Sequence, residues 1–235
     1  ISSSGHLVLI PAIFGKDQPD LATTAVLHLG TLAAILWYYR RDFVELIARP
    51  KSPASRTIWK LLIIGSIPAV VIGLSLNGPI DVVFTEPWIV AICLMITGIV
   101  LAAASALPVG TRTVEQSRWP DAAVVGIAQA FALLPGISRS GMTITGALAQ
   151  GFDRVQSARL AFLLGVPAIA GAGFLEGADL IRQGGFRAST LVGTLVAAVV
   201  GYLAISFLVR LLARRGLMPF AVYCLVFGAV AYFLV

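Results

Sequence analysis

Along this chain apolar residues gather in long blocks, and charged residues collect in the stretches between them. The blocks run over residues 21–39, 58–76, 88–107, 160–175, 191–212 and 217–235. Each is close to the ~20 residues a helix needs to cross the hydrocarbon of a bilayer. No Asp or Glu falls inside them, and Trp37, Tyr38, Tyr39, Trp59 and Trp88 sit near their ends, as residues of an interfacial aromatic belt do. The pattern predicts an all-α integral membrane protein with six transmembrane helices.

Two apolar stretches fall outside that count. One is residues 1–14. The other is 122–150, broken in the middle by Pro135, Gly136 and Gly141. Proline removes a backbone donor and clashes with the preceding turn, so a straight helix through the break is disfavoured. The stretch is expected to form a helix, a turn and a second helix returning to the same side. Irregular backbone at membrane depth is tolerated only against protein or a water-filled cavity, so the turn should line an internal site.

Loop charge tests this topology. With 122–150 as a hairpin, Arg40, Arg41, Arg49, Lys51, Arg56, Lys60, Arg112, Arg118, Arg154, Arg159, Arg210, Arg214 and Arg215 fall on one side. Lys16, Arg182 and Arg187 fall on the other. The positive-inside rule makes the richer side cytoplasmic, and a single crossing by 122–150 would erase the bias.

Composition agrees, with 58% apolar residues, 12% charged residues and a mean hydropathy of +0.94, against roughly 25% charge in soluble domains. The net charge of +6 is accounted for by the loops, and no basic block or stacking platform points to nucleic acid. Cys93 and Cys224 lie in apolar blocks without C-x-x-C spacing and read as small buried hydrophobes.

The chain also repeats itself. ISSSG at its start matches ISRSG at 137–141; LHLGTLAA (27–34) resembles FLLGVPAI (162–169); GSIPAVVIG (65–73) resembles GTLVAAVVG (193–201); PWIVAICL (87–94) resembles PFAVYCL (219–225). The order is hairpin then three spans, twice, over approximately 1–107 and 121–235 of a single membrane domain, 1–235. An odd number of crossings per copy turns the second copy upside down, an inverted-topology repeat with two re-entrant helical hairpins whose tips meet near the midplane.

Arg139 is the only charge between Asp121 and Asp153, and a lone arginine at membrane depth asks for an anionic partner. A tip rich in Gly, Ser and Thr leaves backbone N–H groups free to cradle phosphate oxygens. Arg139 adds a planar fork of donors matched to phosphate, and the hydroxyls of Ser138, Ser140 and Thr143 add more. The other tip brings Ser2, Ser3, Ser4 and His6, an acid/base group beside a hydroxyl nucleophile. Each has a plainer reading: Arg139 as a structural plug on helix carbonyls, His6 as a carbonyl-bonded ring, the serines as caps and interhelical glue. His28, on an apolar span with no acid or cysteine at ligand spacing, reads as a satisfied core histidine. Gln129 reads as a packing residue or a contributor to the site.

PGISRSGMT, residues 135–143, matches the P-G-x-S-R-S-x-x-T motif of the undecaprenyl-diphosphate phosphatase family, the bacitracin-resistance type of bacterial membrane phosphatase. ISSSGHL resembles the segment after that family's acidic motif, and RRDF, FLLGVPAIAG and the C-terminal MPFAVYCLVFGAVAYFLV share its look. The resemblance implies hydrolysis of the C55 polyprenyl diphosphate to the monophosphate and inorganic phosphate, recycling the lipid carrier of cell-wall synthesis. It implies Arg139 as diphosphate clamp, Ser3 as nucleophile and His6 as general base or acid. Ser2, Ser138, Ser140, Gly141, Thr143 and Gly136 would bind substrate. It further implies a divalent cation, Mg²⁺ or Ca²⁺, whose acidic ligands belong to the family's (E/Q)-x-x-x-E motif upstream of Ile1. The expected setting is the bacterial plasma membrane with the site toward the outer face; a homodimer is an open expectation. The rival class is a transporter or flippase of a phosphate-bearing lipid or anion, because broken helices in inverted repeats also serve transport.

Overall fold

In the computed structural model, which describes residues 1–75, 83, 85–182 and 188–235, the secondary structure is almost wholly helical. In chain order the helices are α1 (Ser3–Ile13), α2 (Leu21–Tyr38), α3 (Arg40–Ala48), α4 (Pro53–Ser75) and α5 (Pro87–Ser105). They continue as α6 (Trp119–Phe131), α7 (Arg139–Ala149), α8 (Arg154–Arg182), α9 (Ala188–Arg215) and α10 (Met218–Leu234). Leu76, at the end of one expected span, and Arg187, in the loop count, lie outside the described residues.

Four helical segments, Pro53–Ser75, Pro87–Ser105, Arg154–Ala178 and Ala188–Arg215, are long and apolar enough to cross a membrane. A fifth joins them if α2 and α3, bent by 75° at Tyr39, count as one broken span. α10 is apolar but shorter. The protein is therefore a multi-pass membrane protein with four to five such candidates, against the six expected. The difference lies at α2 and α10: the polar RRDF run turns the chain into the separate helix α3, whose first turn carries Asp42.

Helix ends follow local chemistry. Asp20 caps α2, its carboxylate accepting from the Thr23 N–H at 2.6 Å and the Thr23 hydroxyl at 3.1 Å. The predicted break in 122–150 is present: α6 ends at Phe131 and α7 begins at Arg139, with Gly136 at φ +91° between them. α6 and α7 pack against each other, Gly146 facing Val125 and Ala128. Their far ends are joined by Arg112, whose guanidinium donates to the Asp121 carboxylate and to the Gln150 carbonyl. The start of α6 and the end of α7 thus meet at one end of the pair.

Two apolar clusters flank the centre. One gathers Leu32, Ile35, Leu61, Leu62, Leu160, Leu163 and Leu164 between α2, α4 and α8. The other gathers Leu9, Leu94, Leu101, Ile144, Leu212 and Cys224 around α5 and α10. Cys93 and Cys224 are free and buried. Large apolar side chains such as Ile63, Val70, Leu195, Val199 and Phe233 stay exposed, an arrangement that suits lipid as the outer solvent.

Candidate active site

The turn between α6 and α7 is held from below by a threonine of α5. Thr97 is fully buried; its hydroxyl lies 3.1 Å from the carbonyls of both Cys93 and Gly136 and accepts the Ser138 N–H at 3.0 Å. Gly136 needs to be glycine twice over. Its φ is positive, and a Cβ there would stand 2.3 Å from the Val90 carbonyl oxygen. Ser138 then caps α7, its Oγ accepting the Gly141 N–H at 3.1 Å. Thr143 points its hydroxyl back to the Arg139 carbonyl at 2.7 Å.

Some of the expected ligands are therefore engaged within the protein: the Ser138 hydroxyl, the Gly141 N–H, the Thr143 hydroxyl and the Gly136 carbonyl. Ser140 is half-buried, its Oγ 3.5 Å from that of Ser138. Arg139 is different. Its side chain has no hydrogen-bond or ion-pair partner among the described residues, and its guanidinium runs along Gly165 of α8, where a Cβ would meet Cζ at 3.9 Å.

The N-terminal turn meets this one. A Cβ on Gly5 would lie 3.1 Å from Gly136 Cα, so the two glycine-rich tips touch backbone to backbone. Ser2 adopts a left-handed conformation, φ 51° and ψ 65°, and its buried Oγ has no partner among the described residues. Among the described residues the start of α1 thus carries an unpaired hydroxyl and the start of α7 an unpaired guanidinium, both groups of the kind that bind anions.

The two histidines divide the surroundings. His6 donates from Nδ1 to the Ser2 carbonyl at 2.8 Å, receives the Tyr223 hydroxyl at Nε2 at 2.6 Å, and stacks on Tyr223 and Phe227 of α10. It does not hold the Ser3 hydroxyl. That hydroxyl lies 2.8 Å from Nε2 of His28, whose Nδ1 sits 2.7 Å from the Thr24 carbonyl. His28, Thr97 and Tyr223 were therefore missed as neighbours of the site. Gln129 is buried with both amide atoms unpaired. The signal for His28 was slight: a ring bonded to the carbonyl four residues back keeps one nitrogen free.

A divalent cation does not fit the residues present. Among the described residues no three His, Cys, Asp or Glu side chains converge on one point, and a guanidinium with hydroxyls and neutral imidazoles is a seat for anions. No step below is routed through a metal.

Fold and site together define a class: a helical, multi-pass membrane protein in which the start of α1 touches the turn between α6 and α7, the turn that leads into an arginine without a partner among the described residues. The chain belongs to the bacitracin resistance protein BacA family, whose model matches residues 1–230. Among its relatives are proteins named undecaprenyl-diphosphatase. That of Geobacter metallireducens is 41% identical, the match covering 97% of this chain and 89% of the relative. That of Thermomicrobium roseum is 42% identical, covering 98% and 90%. That of a Nocardioides species is 37% identical, covering 100% and 90%.

Proposed function

We propose that this protein is an undecaprenyl-diphosphate phosphatase, releasing inorganic phosphate from the C55 polyprenyl diphosphate and leaving the monophosphate in the membrane. The observation that carries the reading is Arg139, a guanidinium without a carboxylate, at the contact between two serine-rich turns in a family whose named members are diphosphatases. A dianionic terminal phosphate supplies the missing partner, and the planar fork of Arg139 grips two of its oxygens. Ser2 and Ser140 offer further donors, and Ser3 is the nucleophile. Because phosphoryl transfer depends mostly on positioning and charge stabilisation, the rigid tip, fixed through Thr97 and Ser138, is the central catalytic device. His6 keeps a place at the rim, where its bond to Tyr223 holds α10 against the first turn.

The finer architecture belongs to the same reading: six spans and two re-entrant hairpins in an inverted repeat of 1–107 and 121–235. Reciprocal packing supports it. Gly98 of α5 abuts Ala221 and Leu225 of α10, while Gly228 abuts Ala91 and Met95. Gly98 and Gly228, Ala91 and Ala221, and Met95 and Leu225 are each 130 positions apart, as a two-fold axis between the copies requires. The loop charge bias supports the bacterial plasma membrane as the setting, with the site open to the outer face and the tail of the substrate in lipid. A homodimer has no support beyond the initial expectation and forms no part of the mechanism.

Purified full-length protein in liposomes, given undecaprenyl diphosphate, should release phosphate stoichiometrically with the monophosphate. Exchange of labelled lipid between leaflets with no phosphate released would overturn the enzyme reading in favour of transport.

A further inference from the structure

We infer that His28, not His6, is the general base that takes the proton from Ser3. The inference deepens the phosphatase reading and rests on it. Three observations carry it. The Ser3 Oγ lies 2.8 Å from His28 Nε2, within the reach that proton transfer needs. The opposite nitrogen, Nδ1, lies 2.7 Å from the Thr24 carbonyl; a carbonyl can only accept, so Nδ1 carries the hydrogen and Nε2 presents a lone pair to the serine. The Thr24 carbonyl thereby fixes ring orientation and tautomer, the part a third group plays in hydroxyl–imidazole pairs. His6 fails the same test: its Nδ1 is held by the Ser2 carbonyl and its Nε2 by the Tyr223 hydroxyl. Neither nitrogen is free for Ser3.

The reaction balances with water as the only co-reactant. The Ser3 Oγ–H proton passes to His28 Nε2 as Oγ bonds to the terminal phosphorus. The bond from that phosphorus to the bridging oxygen breaks, and the electron pair leaves on the polyprenyl monophosphate. In the second half the histidine sheds its proton. It then takes one from an attacking water, whose oxygen bonds to phosphorus as the Ser3 O–P bond breaks, and returns a proton to Oγ. The products are free serine and inorganic phosphate. Ser3 opens α1 two residues before Gly5, where a Cβ would stand 3.1 Å from Gly136 Cα in the turn that leads into Arg139, so the nucleophile and its base adjoin the turn that carries the clamp.

The test compares His28→Gln with His6→Gln in the full-length protein, with undecaprenyl diphosphate as substrate, measuring kcat, KM and the pH dependence of kcat/KM. Glutamine can still hydrogen-bond Ser3 but cannot take its proton. His28→Gln should lower kcat on the order of 10²-fold or more, leave KM within about twofold and abolish the acidic limb of the pH profile. His6→Gln should keep that limb. Imidazole added to His28→Ala should restore part of the rate. A His28→Gln enzyme that retains the limb with kcat within about threefold of the parent overturns the inference, as does loss of the limb only in His6→Gln. In both cases the parent still releases phosphate, so the phosphatase reading survives; a parent that releases none would fail that reading instead. A melting curve of His28→Gln matching the parent's excludes misfolding as the source of a lost rate.

Discussion

Three arginines of this chain show two ways of holding a cation. On the loop side, Arg112 donates to both Asp121 carboxylate oxygens, at 3.0 and 2.5 Å, and to the Gln150 and Gln116 carbonyls at 2.7 and 3.1 Å, while its guanidinium lies over the Phe152 ring. Arg159 is bonded to Asp42, Glu115 and Gln156. Both are saturated by the protein. Arg139, at the start of α7, has no such partner among the described residues. The loop-side pair stitches elements far apart in sequence, tying α3 to α8 and the start of α6 to the end of α7. Arg139 ties nothing. A cation that the fold leaves unpaired is kept for a ligand, and its worth should show in turnover, not in stability.

The largest effect should follow from Arg139 itself. Arg139→Gln should lower kcat/KM on the order of 10³-fold, about 4 kcal/mol, the scale for losing a preorganised donor to transition-state charge. Arg139→Lys keeps the charge but loses the fork and should cost at least tenfold, about 1.4 kcal/mol. Both proteins should melt no lower than the parent, because removing a cation without a partner costs no native contact. A melting temperature that falls in step with activity would make Arg139 a structural plug and erase the contrast with Arg112.

Next comes Asp121→Asn, the mirror experiment. Asp121 is buried. Burial alone would raise its pKa, but hydrogen bonds from Arg112 and the Arg118 N–H outweigh that and hold the carboxyl below the usual carboxylate range. A pKa lower in the folded state gives stability that is fully present above the unfolded value, about 3.9, and is lost as pH falls through the folded one. Asp121→Asn should therefore destabilise by roughly 3 kcal/mol at pH 7, the lower end for breaking a buried pair. The deficit should shrink in acid. Turnover per folded molecule should stay near the parent's, measured by phosphate release normalised to folded protein.

Thr97→Val tests the support between these extremes. It keeps the shape but removes the hydroxyl that holds the Gly136 carbonyl and the Ser138 N–H. Leaving two buried backbone groups without that bond should cost about 1–3 kcal/mol. A tip displaced by a fraction of an ångström should also raise KM and lower kcat together. Unchanged kinetics would mean that the tip is held well enough by Ser138 and Gly136 alone.

Much of this division was legible in the residues. The isolated charge of Arg139, the Pro135–Gly136 break and the S-x-S-G echo are local facts, and each lies where the tips touch. What escaped is tertiary. Thr97 sits in an apolar span about forty positions from the turn it holds. His28 looked like a packing histidine because its partner, Ser3, lies twenty-five positions away across another helix. His6 was paired with the serines by adjacency in sequence, whereas the geometry of α1 turns its ring toward Tyr223. Thr143 belongs to the same lesson: a threonine four residues into a helix finds the carbonyl behind it. Span count was legible only coarsely, since hydropathy does not reveal that the chain bends by 75° after Tyr38 or that the apolar helix Met218–Leu234 is short.

The smallest effect is expected at Glu115, and it bounds the comparison from below. Its carboxylate bonds Arg159 at 2.6 Å, but the side chain is 38% exposed and Arg159 keeps Asp42 as a second anion. Solvent screens what is lost, and the remaining pair absorbs the cation. Glu115→Gln should therefore cost under about 1 kcal/mol, with chemical denaturation midpoints close to the parent's and phosphate release unchanged. Asp42→Asn should cost more, because Arg159 would then depend on the exposed partner alone. If the two substitutions proved equal, the loop-side arginines would be held by their general setting and not by particular carboxylates, and the contrast with Arg139 would narrow to one of depth in the bilayer.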